Sequence, residues 1–262
     1  MTATISAPPL EDVAPRLRPV EVFTDEELSL LTYGPGAVVT PYFSTLASKG
    51  IEIAQRSAYR GLVARGIVDP EADPGPGPVR LKLREDILTL VTLRQAATCL
   101  VAVARTLVDA QDFWYAHVVD ELVVLEEVTV DGLHRFALGF TRDLPALLVG
   151  AALHADATDG TGETVSIDAM SEQEAPAQLL EVLGQAHLRA DVVVISAAED
   201  NEAGTRARTV SRPELIGVFS GPDGCWSVTS APGSGAVAIP ERVEGLRLRI
   251  RSLADQATGT DS

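Results

Sequence analysis

The sequence predicts an α+β fold of two related halves, each made of a helix, an antiparallel sheet and a second helix. The strands are expected to form one shared sheet or two abutting sheets, with flanking helices on one side. Two observations carry this prediction. Helical apolar spacing at the start of the chain changes to short strand-like apolar runs from about residue 98 onward. In addition, Asp131-Gly132 between two such runs is typical of a hairpin turn, and Asp223-Gly224 repeats it.

The N-terminal region is predicted to contain a tail and a helical part. Residues 1–18 are expected to be disordered, because prolines interrupt them without any apolar period. A helical part follows over residues 24–68. Thr24 and Glu27 have the spacing of a capping box at the start of a helix. A second helix is predicted from Glu52 to Arg65, and the Pro/Gly-rich stretch 73–78 is predicted to be a loop.

The single α+β domain is expected over residues 19–253, with pseudo-repeats at about 83–153 and 174–253. The first repeat has a helix, four strands and a helix over Leu83–Ala96, Thr98–Thr106, Trp114–Val119, Leu122–Val130, Leu133–Phe140 and Leu144–Leu153. The second has the same order over Glu174–Leu188, Asp191–Ala197, Thr205–Val210, Leu215–Ser220, Cys225–Thr229 and Pro240–Leu253.

A constant shift along the chain supports the duplication. It places Ala97 on Ala190 and Glu121-Leu122 on Glu214-Leu215, and after a one-residue slip it superposes the two Asp-Gly turns. The segment 155–163 between the repeats is predicted to be a mobile linker, with Gly160-Thr161-Gly162 as a flexible connector. Residues 254–262 are expected to be a flexible tail.

Composition excludes several classes of function. Among 262 residues there are 21 basic and 37 acidic side chains, a formal net charge of −16. Such a surface repels nucleic acids and anionic membranes. Cys99 and Cys225 lie far apart and form no disulfide framework, as in reduced intracellular proteins. We therefore expect a cytoplasmic monomer or homodimer that binds neither nucleic acid nor membranes.

No motif in the sequence carries catalytic chemistry. His117 and His134 fall on neighbouring predicted strands, with Glu126 or Glu127 nearby, but no histidine, cysteine or carboxylate cluster has metal-ligand spacing. A cross-strand polar pair is the favoured interpretation. No nucleophile elbow and no complete phosphate-binding glycine loop occur. The sequence thus predicts no catalytic, cofactor-binding or metal-binding residue, no cofactor and no enzyme. Convergence of His117, His134 and Glu127 on one pocket would support a small-molecule enzyme instead.

A second alternative is a winged-helix DNA-binding regulator. Residues 56–68 resemble a recognition helix followed by a strand, and Arg56, Arg60 and Arg65 would contact phosphates. The opposing interpretation is a surface helix whose Arg60 and Arg65 offset the helix dipole at its C-terminus. We favour the surface helix because the local positive charge is small beside the net charge of the chain.

An acidic segment with adjacent aromatic residues is the candidate binding surface. Residues 107–131 contain seven acidic side chains and no lysine or arginine. Three consecutive aromatics on a strand cannot all face one core, so at least one is expected to be exposed or to cover another surface. Exposed aromatics with a charged rim are typical of protein-binding sites. The alternative is that Trp114 covers the sheet edge or a helix. The predicted protein-binding residues are Phe113, Trp114, Tyr115, Asp109, Asp112 and Glu121.

Three stretches resemble the EspG family of type VII (ESX) secretion-associated chaperones from actinobacteria. Residues 58–68 resemble that family's helix ending in arginine, glycine and an apolar residue, here Arg65-Gly66-Ile67. Residues 94–103 resemble the start of its sheet, and residues 215–228 resemble its C-terminal hairpin. The chain departs from the family at Cys225-Trp226, where glycine and arginine are common.

The resemblance implies both a fold and a function. Members of the family are cytosolic α+β proteins with a pseudo-duplicated sheet and helical bundles. They bind the tip of secreted helical-hairpin substrates, such as PE–PPE heterodimers, and keep them soluble for export. The resemblance therefore implies a non-catalytic chaperone or adaptor whose partner is a secreted helical protein.

Overall fold

The chain folds around one large antiparallel sheet. The computed structural model describes residues 15–32, 37–70, 82–107, 110–167, 183, 186–199, 208–210, 214–230 and 235–259. The N-terminal half contains β1 (Arg18–Thr24), α1 (Asp25–Leu31), α2 (Ser48–Ala64), β2 (Val68–Asp69), β3 (Lys82–Leu83), α3 (Glu85–Ala96), β4 (Cys99–Leu107), β5 (Gln111–Val119), β6 (Leu122–Thr129), β7 (Leu133–Phe140) and α4 (Leu144–Ala152). The C-terminal half contains β8 (Val165–Ile167), β9 (Leu188–Glu199), β10 (Arg208–Val210), β11 (Glu214–Gly221), β12 (Gly224–Ser230), β13 (Ala236–Pro240) and α5 (Val243–Thr258).

The strand order confirms the predicted α+β class with a shared sheet. Neighbouring strands follow the order β1, β7, β6, β5, β4, β9, β11, β12, β13 and β8, while β10 pairs with β9. β2 and β3 form a separate small sheet. β4 and β9 pair antiparallel at the centre. Going outward, β5, β6 and β7 follow β4, and β11, β12 and β13 follow β9.

The helices after the two strand sets also correspond. Leu144 and Leu148 of α4 are fully buried, and Leu246 and Ile250 of α5 have the same four-residue spacing and are equally buried. The element order therefore agrees with an internal duplication. The predicted helix over 174–188 lies almost entirely outside the described residues.

The predicted residue-by-residue correspondence of the two halves is wrong. Asp131-Gly132 joins β6 to β7, the third and fourth strands of its set, whereas Asp223-Gly224 joins β11 to β12, the second and third. Of the predicted strand over Thr205–Val210, the structure describes residues 208–210, which form β10, and β10 lies off the main strand order. The fourth strand of the second set is β13, which the sequence analysis missed. An Asp-Gly turn fits any tight hairpin, so the turn signal could not specify which hairpin it marks.

Helices cover both faces of the sheet, so the prediction of helices on one side is wrong. Trp114 and Val103 pack with Leu148 of α4 and Ile250 of α5 on one face. On the other face, Val124 and Phe136 pack with residues of α1, α2 and α3, including Leu28, Leu62 and Leu90. Because successive positions of β5 and β6 are apolar, both faces of these strands require cover.

The ends of the domain differ from the predicted boundaries. β1 begins at Arg18, inside the predicted tail, and pairs with β7. Residues 1–14 lie outside the described part of the chain. At the other end, α5 continues to Thr258, and Ala254 and Ala257 are buried beyond the predicted end at residue 253.

The capping box at the start of α1 is confirmed. The Thr24 hydroxyl accepts a hydrogen bond from the Glu27 backbone N–H at 3.2 Å, and the Glu27 carboxylate accepts one from the Thr24 N–H at 3.2 Å. Glu27 is also held by Arg65 at 2.9 Å. The capping box therefore connects α1 to the end of α2.

Replacing Thr24 with alanine is expected to lower the free energy of unfolding by about 1 kcal/mol, because one N–H of the first turn loses its acceptor. Urea unfolding followed by circular dichroism measures this loss. Thr24→Ser keeps the hydroxyl and is expected to stay close to the parent. Equal losses in the two variants would contradict a capping role.

The segment predicted to be a mobile linker is bound to the C-terminal half. The Gly160 N–H donates to the Glu241 carbonyl at 2.7 Å, and the Thr158 N–H donates to the Gly221 carbonyl at 3.1 Å. Asp159 accepts from the N–H of Val243 in the first turn of α5 at 2.8 Å. We call residues 154–163 the strap. It fixes the position at which α5 begins, so the prediction of mobility is wrong.

Candidate functional site

The structure places the three consecutive aromatics on two different faces of the sheet. Trp114 is 4% exposed and faces α4, whereas Tyr115 is 3% exposed and faces the α1 side. Phe113 is half-buried beside Tyr115. The Tyr115 hydroxyl accepts a hydrogen bond from the Val39 N–H at 3.3 Å. The alternation predicted from the strand is present, but Trp114 and Tyr115 cover the protein's own surfaces and are not exposed.

The predicted acidic rim does not form one patch. Asp112 is paired with Arg105 through two bonds of 2.7 and 2.8 Å, and Glu121 lies exposed at the far end of β5. At about 3.3 Å per residue, the length of β5 separates these two carboxylates by more than 20 Å. Asp109 lies outside the described residues. Glu126, which added to the acidic count, is fully buried.

Trp114 instead lines a groove of about 780 Å³ between the sheet and α4. Leu125 and Ala137 line it from the neighbouring strands. The side chains of Leu17 and Val22 from the β1 region line it as well, and they are 40% and 42% exposed. This is an apolar concave surface at the outer end of the first strand set.

Small residues on α4 line the opposite side of the groove. Ala146 and Gly150 are exposed, and they lie four residues apart on the same helix face. A Cβ atom added at Gly150 would meet nothing within 4 Å. The groove is therefore open on this side and has room for an apolar side chain or a helix end.

Charged residues also line the groove. Arg105 is neutralised by Asp112, while Glu127 and Arg135 lie opposite each other on β6 and β7. Among the described residues, neither Glu127 nor Arg135 has an ion-pair partner within 4 Å. Glu21 lines the groove as well and is paired with Arg65 and Arg84. The groove thus combines apolar walls with two acidic and two basic side chains, of which Glu21 and Arg105 are neutralised by ion pairs.

A buried charge cluster lies on the opposite face of the sheet. Glu126 accepts hydrogen bonds from Arg94 at 2.8 and 3.1 Å, from His117 at 2.7 Å and from His134 at 2.6 Å. The other ring nitrogen of His134 lies 2.6 Å from Asp25. The five side chains link α1 and α3 to β5, β6 and β7. The sequence pattern predicts a cross-strand histidine pair but gives no signal for Asp25 and Arg94, which come from distant parts of the chain.

The convergence of His117, His134 and Glu127 that would support a small-molecule enzyme does not occur. His117 and His134 converge on Glu126, whereas Glu127 points to the opposite face and lines the groove. In the part of the chain that the structure describes, no group of three His, Cys, Asp or Glu residues is arranged to hold a metal ion. Glu126 and His134 are fully buried, so a substrate has no access to them.

The winged-helix alternative is not supported. Arg65 is bound to Glu21 and Glu27 at 2.9 Å, and Arg56 is paired with Glu52 at 2.6 Å. These carboxylates neutralise two of the three arginines proposed for phosphate contacts. The Pro/Gly-rich stretch 73–78, which was predicted to be a loop and could end the wing of such a fold, lies outside the described residues.

Comparison with solved structures relates this fold to a known class of protein. A solved structure of the Mycobacterium tuberculosis type VII secretion system chaperone EspG5, in complex with the PE25–PPE41 dimer, aligns with a TM-score of 0.52 over 90% of this chain and 95% of that chain. The chain shares the EspG5 fold. The two sequences are 10% identical, so the likeness is one of fold. No family profile and no curated protein sequence matches the chain.

The fold shared with EspG5 agrees with the α+β fold class predicted from the sequence. The alignment covers nearly all of both chains, so it includes both halves of the sheet and their helices. Among the described helices, none has the length and apolar character needed to cross a membrane.

Cys99 and Cys225 are both buried, as expected for small apolar packing residues, and burial raises the pKa of both thiols.

Proposed function

We propose that this protein is a non-catalytic cytoplasmic chaperone or adaptor that binds a helical-hairpin secretion substrate and keeps it soluble for export. The observation that carries the proposal is the fold shared with EspG5 over 90% of the chain, because EspG5 was solved in complex with a PE25–PPE41 dimer. The residue-level resemblance to the EspG family points to the same partner class. A PE–PPE-like dimer is therefore the proposed client.

We propose further that the client's apolar tip docks in the groove beside Trp114. Burying apolar side chains against Leu17, Val22 and the walls of the groove removes them from water, which is the main favourable term in such binding. Glu127 and Arg135 orient the tip through polar contacts at the groove. The net charge of −16 keeps the complex soluble.

Co-expression with the helical-hairpin dimers encoded in the same genome tests the function itself. We expect one such dimer to become soluble only in the presence of this chain and to co-elute with it in size-exclusion chromatography. Nucleotide is not expected to change the amount of complex. If every such dimer stays insoluble or elutes alone, the proposed function is wrong. Binding to duplex DNA at low salt would favour the regulator alternative instead.

Filling the groove is expected to weaken client binding at least tenfold. Gly150→Phe places an aromatic ring in the open space beside α4, where it competes with the client tip. Isothermal titration calorimetry with the co-purified dimer measures the change. Ser252→Phe is the matched control, because Ser252 holds the corresponding exposed position on α5 outside the groove. Equal affinity in both variants would place the client elsewhere on the protein.

Of the aromatic and acidic residues that were predicted from the sequence and that the structure describes, Trp114 is the one that lines the proposed docking groove. Trp114→Ala removes one wall of the groove and is expected to weaken client binding by about 2 kcal/mol. Phe113, Asp112 and Glu121 lie outside the groove lining, so alanine at these positions is expected to have a smaller effect. Tyr115 faces the opposite side of the sheet. A thermal melt of each variant separates lost binding from lost folding.

A further inference from the structure

The His134 imidazole lies between two carboxylates on different elements. Its Nδ1 atom is 2.6 Å from Glu126 Oε1, and its Nε2 atom is 2.6 Å from Asp25 Oδ1. The side chains of all three residues are fully buried. A carboxylate oxygen can only accept a hydrogen bond when it is ionised, so both ring nitrogens of His134 must donate. The geometry therefore calls for the doubly protonated imidazolium form.

The two carboxylates that flank protonated His134 also accept hydrogen bonds from other groups. Arg94 and His117 also donate to Glu126, and the Phe43 N–H donates to Asp25 Oδ2 at 2.8 Å. Burial tends to raise the pKa of Glu126, but hydrogen bonds from His117 and His134 and the charge of Arg94 outweigh it and hold this pKa far below its usual range. Burial lowers the pKa of His117, which favours its neutral form, and a neutral ring with the proton on Nε2 still donates to Glu126.

The charges cancel only when His134 carries its second proton. Asp25 and Glu126 contribute two negative charges, and Arg94 and protonated His134 contribute two positive charges. Tyr115, the remaining titratable group near the cluster on β5, is buried and neutral, with its pKa raised by burial. Loss of the His134 proton leaves a net negative charge in a buried site and turns a ring lone pair toward a carboxylate, which is strongly unfavourable.

We infer that His134 is a proton-dependent latch that holds the α1 and α3 layer against the sheet. Asp25 is the first residue of α1, and its backbone N–H donates to the Gly132 carbonyl in the β6–β7 turn. Arg94 lies in the last turn of α3. Deprotonation of one imidazole therefore weakens the attachment of both helices at once. α4 and α5, on the other face, do not contact the cluster.

The direction of the His134 pKa shift determines how the attachment of α1 and α3 changes with pH. Burial tends to lower the pKa of His134, but hydrogen bonds to Asp25 and Glu126 outweigh it and raise this pKa above the usual value of about 6.5. The stabilisation is thus complete below about pH 6.5 and is lost as the pH rises through the raised value. On the acid side, His117 and Glu126 act in the opposite direction because their pKa values are lowered.

Hydrogen exchange on the full chain tests the latch. Between about pH 6.5 and the raised pKa, protection factors of the α1 and α3 amides are expected to fall by up to about tenfold per pH unit. Peptides from α4 and α5 should keep constant protection factors over the same range. At pH 6.5, where an ordinary histidine is half protonated, side-chain ¹⁵N spectra are expected to show His134 predominantly with both nitrogens protonated. Neutral His134 at that pH, or equal losses in all four helices, would overturn the inference.

A substitution of His134 itself, such as His134→Gln, tests the latch directly. If that variant fails to fold, Asp25→Asn keeps the inference testable. The amide oxygen still accepts from the Phe43 N–H, and the amide nitrogen donates to Nε2 of a neutral His134. This variant is therefore expected to hold α1 and α3 with the same protection at pH 6.5 and pH 8.5. A pH profile identical to that of the parent would overturn the latch, whatever the result of the client-binding experiments.

Discussion

Replacing Gly160 with alanine is expected to lower the free energy of unfolding by about 3 kcal/mol. The added Cβ atom would lie 2.1 Å from the Cys225 carbonyl oxygen and 2.9 Å from the Glu241 backbone nitrogen. Both are backbone atoms in the β12–α5 region, so neither can rotate away as a side chain would. The strap must move instead, and with it the Asp159 cap on the first turn of α5.

Gly150→Ala is the matched control for this substitution. Gly150 lies in α4, and a Cβ atom there would meet nothing within 4 Å. Alanine in a helix is expected to raise the free energy of unfolding by about 0.5–1 kcal/mol. Chemical denaturation of both variants measures the two effects. If Gly160→Ala is as stable as the parent, the strap does not pack as described.

Replacing Arg94 with leucine is expected to lower the free energy of unfolding by about 3–5 kcal/mol. Arg94 gives Glu126 two hydrogen bonds, and the Glu126 side chain has no exposed surface. Leucine leaves this carboxylate buried with one positive partner fewer. Urea unfolding at pH 7 measures the loss.

Arg105→Leu controls for the loss of a paired arginine. Arg105 makes the same type of double contact with Asp112, but the two side chains are 18% and 32% exposed, so water solvates the carboxylate that remains. A loss of about 1 kcal/mol or less is expected. In the Arg94→Leu background, Glu126→Gln removes the buried negative charge that has lost its arginine partner and should recover part of the stability. Equal losses for the two arginine variants would show that burial of Glu126 is not the cause.

The sequence predicted those features that depend on neighbouring residues. The strand Leu133–Phe140 was predicted with its observed bounds, and the capping box of Thr24 and Glu27 is present as predicted. Both rest on local rules, the alternation of side chains along a strand and the supply of acceptors to a helix start. β1 was missed because Pro19 and the charged residues Arg18 and Glu21 obscure its apolar alternation, and because its partner, β7, lies far along the chain.

The sequence alone determined the α+β fold class with a shared antiparallel sheet, since this class depends on composition, periodicity and short patterns. The tertiary structure decided the rest. It brought Asp25 and Arg94 into contact with the Glu126–His134 pair. It also placed Trp114 and Glu127 on the groove side of the sheet, whereas the residues that follow or precede them, Tyr115 and Glu126, lie on the other side. A charge count cannot tell which carboxylates are neutralised in the interior, because pairing between residues distant in sequence depends on which strands and helices come together.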